Sequence, residues 1–190
     1  MKNLMILLLL ALTPLAGARA EDEPAPAEPM PRYLLQGPNG RVVTTADFPG
    51  RFQLITFGYT GCPDICPTTL ATMAQVMALL GDDAARVQPI FISVDPERDT
   101  VPVVREYTRY FDARIVGLTG PAHLVQAAAD RFRVRYEKYL APGATPDRYS
   151  VDHTAGMFLL GPDTRYITRF AHAQTATDIA RRLKEILATE

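Results

Sequence analysis

Two hydrophobic periods run through the chain. Short apolar blocks at 53–59, 87–94 and 115–118 read as buried strands, and the segments between and after them repeat apolar residues at helical spacing. In 67–80, Leu70, Met73, Ala74, Met77 and Leu80 recur at that spacing, on a helix that Gly81 ends. Residues 100–111 predict a second helix, with Pro102 in its first turn and Asp99 or Thr100 as its cap. Residues 122–132 predict a third. In 177–187, Ile179, Leu183, Ile186 and Leu187 share one face, as on a helix that lies against a core.

The remaining segments read as hairpins. Residues 33–36 and 41–44 flank the turn Gly37-Pro38-Asn39-Gly40. Residues 136–140 and 156–160 are predicted strands flanking a polar loop. Gly161-Pro162-Asp163-Thr164 then turns the chain into a return strand at 165–170. Strands alternating with helices, closed by a hairpin and a helix, predict an α/β fold: a central mixed sheet with helices on its faces and an N-terminal β-hairpin.

Composition narrows the function. The chain has 190 residues, 47% of them hydrophobic, which is enough for one ordinary core and excludes a disordered body. Before this body, Lys2 precedes an apolar stretch at 4–12 that stops at Thr13 and Pro14, and Ala18-Arg19-Ala20 offers a small-x-small cleavage signal. We therefore expect a signal peptide at 1–20, cut after Ala20, and a periplasmic protein. The apolar stretch is short for a bilayer span, so contact with a membrane is expected only through a partner or an uncleaved leader. Residues 21–32 carry Pro24, Pro26, Pro29 and Pro31, a stiff solvated linker, and 33–190 form the domain. With 20 basic and 21 acidic residues the net charge is −1. Loss of Lys2 and Arg19 with the leader leaves 18 against 21, or −3, which argues against nucleic acid as a partner.

The sharpest local feature is Gly58-Tyr59-Thr60-Gly61-Cys62-Pro63-Asp64-Ile65-Cys66-Pro67-Thr68-Thr69. It lies between a buried strand and a helix, where open α/β sheets hold ligands. Pro67 suits a first helical turn, which puts Cys66 at or near the cap, where the helix N-terminus is expected to lower its pKa. Cys62 and Cys66 are spaced to share a metal ion or a disulfide. Three intervening residues, rather than two, leave a wider bite for a metal. A structural disulfide, a redox pair and two buried thiols remain alternatives.

Two thiolates and one imidazole suit Cu(I), and the same set can carry Cu(II); zinc would call for a fourth ligand. Of the three histidines, His123 and His172 read as surface residues. His153 precedes an apolar strand in Tyr149-Ser150-Val151-Asp152-His153-Thr154-Ala155 and is the candidate third donor. Met73 and Met77, at i and i+4, could offer thioethers but read as core packing.

Four segments in order, Cys62 to Leu70, Phe91-Ile92-Ser93-Val94-Asp95-Pro96-Glu97-Arg98-Asp99-Thr100, Gly117-Leu118-Thr119-Gly120 and Val151-Asp152-His153-Thr154, resemble the Sco/SenC family of copper-binding, thioredoxin-like proteins. The resemblance covers nearly everything from Tyr33 onward. It implies a thioredoxin-like fold and copper held by Cys62, Cys66 and His153. It also implies a role in delivering copper to, or reducing the thiols of, the copper A centre of cytochrome c oxidase. The expected partners are the copper-binding subunit of that oxidase or another copper chaperone. In a thioredoxin-like sheet the loop carrying His153 faces the Cys-bearing helix start. Many relatives keep a transmembrane anchor, whereas this leader looks cleavable. A rival reading is a thiol–disulfide oxidoreductase with incidental copper binding. Asp64, Asp95 and Asp152 could orient His153 or balance charge. On the other reading, Asp95 opens a turn with Pro96 and Asp152 bonds its own loop.

Overall fold

The structure is a computed structural model that describes residues 32–189. The expected leader, and the linker up to residue 31, lie outside the described residues. Strands β1 (Leu34–Gln36) and β2 (Val42–Thr44) form the expected N-terminal hairpin. The chain then alternates through β3 (Phe52–Gly58), helix α1 (Ile65–Leu79), β4 (Val87–Ser93), α2 (Val101–Phe111), β5 (Val116–Leu118) and α3 (Ala122–Arg131). It ends in β6 (Tyr136–Leu140), β7 (Tyr149–His153), β8 (Met157–Leu160), β9 (Tyr166–Phe170) and α4 (Ala176–Thr189).

The central sheet runs β5-β4-β3-β8-β9. β3 pairs parallel with β4 and antiparallel with β8, so the sheet is mixed, as the alternation of elements predicts. Both faces of β3 and β4 are buried along their whole length, the mainly apolar runs broken only by Gln53, Thr56, Gln88 and Ser93, and successive side chains point to opposite sides. Phe52, Leu54, Val87, Phe91, Met157 and Leu159 join one core with α1, α2 and α4. Ile55, Phe57, Ile90, Ile92, Phe158 and Leu160 join another with β1 and α3. The hairpin is tied to the body by reciprocal backbone hydrogen bonds between Gln36 and Thr119. Tyr33 Oη also donates to Gln53 Oε1 at 2.8 Å, and Gln53 Nε2 donates to the Thr45 carbonyl. These bonds satisfy an amide that would otherwise be buried at a cost.

Two expectations are corrected. The stretch expected as a polar loop before β8 contains a strand: β7 pairs antiparallel with β6 in a two-stranded ribbon outside the central sheet. Val151 is the buried anchor of that ribbon, and Tyr149 and His153 flank it on the same side at period two. Helix α1 starts at Ile65 rather than 67, so Cys66 sits inside the first turn and Asp64 occupies the N-cap position. Met73 and Met77 are buried in the core beside Leu70, as the packing reading has it. Among the described residues, no helix is long and apolar enough to cross a membrane.

Candidate functional site

The site forms at the C-terminal edge of β3 and β4. The loop from β3 into α1 carries Cys62, the first turn of α1 carries Cys66, and the end of β7 brings His153 across from the ribbon. Cys66 Sγ lies 3.3 Å from His153 Nε2, although 87 positions separate them. Both cysteines are free thiols; Cys66 is buried and Cys62 half-buried. The Cys66 backbone N–H points at Cys62 Sγ from 3.4 Å.

The helix N-terminus acts on the other cysteine from the one expected. Burial alone would raise Cys62, but N–H groups of Asp64, Cys66 and Ile65 outweigh it and hold its pKa below the ordinary thiol value. Cys66 is pushed up instead, first by burial and then by the Cys62 and Asp99 charges. The physical reason is direction: the free N–H groups of the first turn point back along the axis, toward the loop, where Cys62 stands. Cys66 is therefore a thiol whose S–H has two neighbouring acceptors, His153 Nε2 and the Cys62 sulfur.

His153 is held neutral. Burial lowers its pKa, opposed by the Thr154 carbonyl contact and the Asp152 charge, and assisted by the His172 charge. With Nδ1 donating to the Thr154 carbonyl at 3.3 Å, the Nε2 lone pair is left facing Cys66. Sulfur and nitrogen ligands on one tetrahedral ion stand about 3.5 Å apart, from bond lengths near 2.3 and 2.0 Å. The Cys66–His153 pair thus already has coordinating separation. Among the described residues, no group of three or more His, Cys, Asp or Glu side chains is closed into ligating geometry.

The carboxylates divide. Asp64 is exposed, and its side chain makes no capping bond. Asp152 is exposed and acts on His153 through charge. Asp95 is wholly buried. Its carbonyl does open a turn, accepting from Arg98 N and Asp99 N. Its carboxylate accepts from Arg98 Nε at 2.5 Å and from Tyr149 Oη at 2.7 Å. Sequence reasoning missed Asp99, Arg98 and Tyr149. Asp99 is 1% exposed and accepts from Thr60 N, Thr60 Oγ1 and Ser93 Oγ at 2.6–2.9 Å. The available signal was Asp95-Pro96-Glu97-Arg98-Asp99 itself, two charged residues and a proline between two buried acids. His172 is exposed as expected, but its Nδ1 lies 3.1 Å from Thr69 Oγ1, one turn past Cys66.

A mixed sheet whose helix-start thiol, Cys66, faces an imidazole across the sheet edge is the arrangement of a thioredoxin-like fold. Among solved structures, Arabidopsis thaliana ScoI with copper bound superposes with a TM-score of 0.78 at 31% identity, over 84% of this chain and 98% of that one. Bradyrhizobium japonicum ScoI with copper bound gives 0.73 at 37% identity, over 81% and 96%. The mitochondrial SCO2 homolog of Bos taurus is 42% identical over 155 residues, 79% of this chain and 58% of the relative's length. The chain thus spans little more than half of that relative. The SCO1/SenC profile matches residues 21–188. The chain belongs to the SCO1/SenC family, and the thioredoxin-like fold that the resemblance implies is the fold it has.

Proposed function

We propose that the chain is an exported copper carrier. It holds copper through Cys62, Cys66 and His153 and passes it to the copper A centre of cytochrome c oxidase, directly or through another chaperone. The observation that carries this reading is the 3.3 Å approach of Cys66 Sγ to a neutral His153 Nε2, with the lowered Cys62 thiol four residues away. Family members from A. thaliana and B. japonicum bind copper, which supports copper as the cargo.

Transfer proceeds by ligand exchange. Half-buried Cys62 closes last on loading and opens first on release, giving a partner thiolate its opening. Cys66 loses its proton on loading, because only the thiolate binds metal. Joining the Cys62 and Cys66 thiolates as a disulfide, with two electrons passing to a partner disulfide whose released thiolates take their protons from solvent, withdraws both sulfurs and frees the metal.

The same asymmetry supports a second reading, a thiol–disulfide reductase. The accessible, lowered Cys62 would attack a substrate disulfide and buried Cys66 would resolve the mixed disulfide. Copper titration of the reduced protein, beside Cys62→Ser, Cys66→Ser and His153→Ala, separates the two. A thiolate-to-copper charge-transfer band that each substitution abolishes or shifts is the expected result. Its absence from the parent removes the carrier reading. Disulfide turnover that survives His153→Ala, with no tight copper binding in the parent, establishes the reductase.

A further inference from the structure

Five residues of the segment between β4 and α2, Asp95-Pro96-Glu97-Arg98-Asp99, touch both halves of the proposed donor set. At one end, the Asp99 carboxylate takes the backbone N–H and hydroxyl of Thr60, two residues before Cys62. At the other end, Asp95 and Arg98 hold Tyr149, four residues before His153 on the same strand. Tyr149 Oη donates to Asp95, and Arg98 Nη1 donates to the Tyr149 carbonyl at 2.9 Å. The Arg98 guanidinium lies 3.7 Å from the centre of the Tyr149 ring and 5.6 Å from that of Tyr59. The Tyr59 ring in turn meets His153 edge-on, centroids 6.3 Å apart. Lys138 on β6 adds an ion pair to Glu97 of the same segment.

The ribbon needs such a tie. Among the described residues β7 pairs only with β6, and the pair joins no strand of the central sheet, so the sheet ladder does not fix where His153 stands relative to Cys66. We propose that Asp95–Asp99 is a clasp that sets the thiol-to-imidazole spacing. In it Asp99 positions the cysteine loop, while Asp95 and Arg98 position the histidine ribbon. Arg98, Asp95 and Tyr149 are thus positioning residues, acting through His153 rather than on the ion. The arginine suits the task because its planar fork bonds a carboxylate and a carbonyl while stacking on an aromatic face.

This inference rests on the Cys2His reading, and its chemistry predicts a split. Soft Cu(I) is satisfied by two thiolates, whereas Cu(II) draws more of its affinity from the imidazole. Arg98→Ala should weaken Cu(II) binding by about tenfold, the usual scale for losing a group that orients a ligand, and leave Cu(I) affinity at the parent's value. Nitrogen hyperfine structure in the Cu(II) electron-spin resonance spectrum should diminish. Asp99→Ala, which frees the cysteine loop, should weaken both oxidation states, and Asp99→Asn, which keeps the hydrogen-bonding shape, should restore them. In the metal-free protein, Arg98→Ala should speed amide exchange in 149–153 while leaving α4 unchanged. Tyr149→Phe keeps the ring under Arg98 and loses one hydroxyl bond. It should shift the same readouts in the same direction by less, and it decides the matter if Arg98→Ala does not fold. Equal losses for both oxidation states, or parent-like exchange in the ribbon, overturn the clasp. If the parent takes up no copper, the carrier reading fails, and the exchange measurement alone still decides whether the clasp exists.

Discussion

Gly58 stands where a Cβ would come within 2.9 Å of Cys66 Sγ and of Phe91 Cε2. The last residue of β3 therefore lacks a side chain because the first turn of α1 lays its thiol against the strand. Gly58→Ala should cost about 1–3 kcal/mol, as for other overpacked sites. It should also weaken copper binding, since the thiol must shift away from His153. Gly61→Ala is the matched control: its added carbon meets nothing nearer than the Tyr59 ring at 3.6 Å. Thermal unfolding and copper titration of the two variants check this, and equal behaviour would mean that the close approach is relieved cheaply.

The two thiols should react in order. Cys62 is half-exposed and lowered by helix-start N–H groups, whereas Cys66 is buried and raised. Iodoacetamide at neutral pH should label Cys62 first, and Cys62→Ser should leave a protein that labels slowly until it is unfolded. Mass spectrometry of partly labelled protein reads the order directly. Preferential labelling of Cys66 would contradict the assigned electrostatics.

Much of this was legible before folding. The buried strands, the four helices and both hairpins followed from periodicity, because segments buried on one or two faces must show it. The three proposed donors were legible as candidates, since two cysteines and a histidine before a strand are few and distinctive. What was not legible was direction. Spacing placed Cys66 near a helix start, but which sulfur the N–H groups face depends on how the loop returns, and the loop returns Cys62 to them. The β7 strand was hidden for another reason: Val151 alone of its five residues is fully buried, so it lacks the continuous apolar signal of the central strands. Arg98 and Tyr149 read as ordinary polar residues because the contacts that join their segments span about fifty positions.

Met73 and Met77 should prove irrelevant to copper. Both are buried in the core with Leu70 and Leu159, on the side served by α1 and α4. Met73→Leu and Met77→Leu should leave the copper spectrum unchanged and cost under about 1.5 kcal/mol, as volume-conserving swaps do. Met73→Ala should cost about 2–5 kcal/mol through the cavity it leaves. A changed charge-transfer band in either leucine variant would bring a thioether back into the ligand set.

The stability of the metal-free protein should carry a signature of His153. Burial first, then the His172 charge, lowers its pKa, against the pull of the Thr154 carbonyl and Asp152. In the unfolded chain an imidazole titrates near about 6.5. The unfolded state therefore takes up this proton at a higher pH than the folded state does, and acidification favours unfolding. The contribution is fully present above about 6.5 and is lost as pH falls through that value toward the lowered folded one. His153→Gln should flatten this part of the profile. The measurement is the difference in urea midpoint between parent and variant at pH 7.5 and at about 5.5. The parent should lose more than the variant on acidification. A parent that gains relative to the variant would mean that the ring is charged in the fold, and a charged ring cannot present its Nε2 lone pair to a metal.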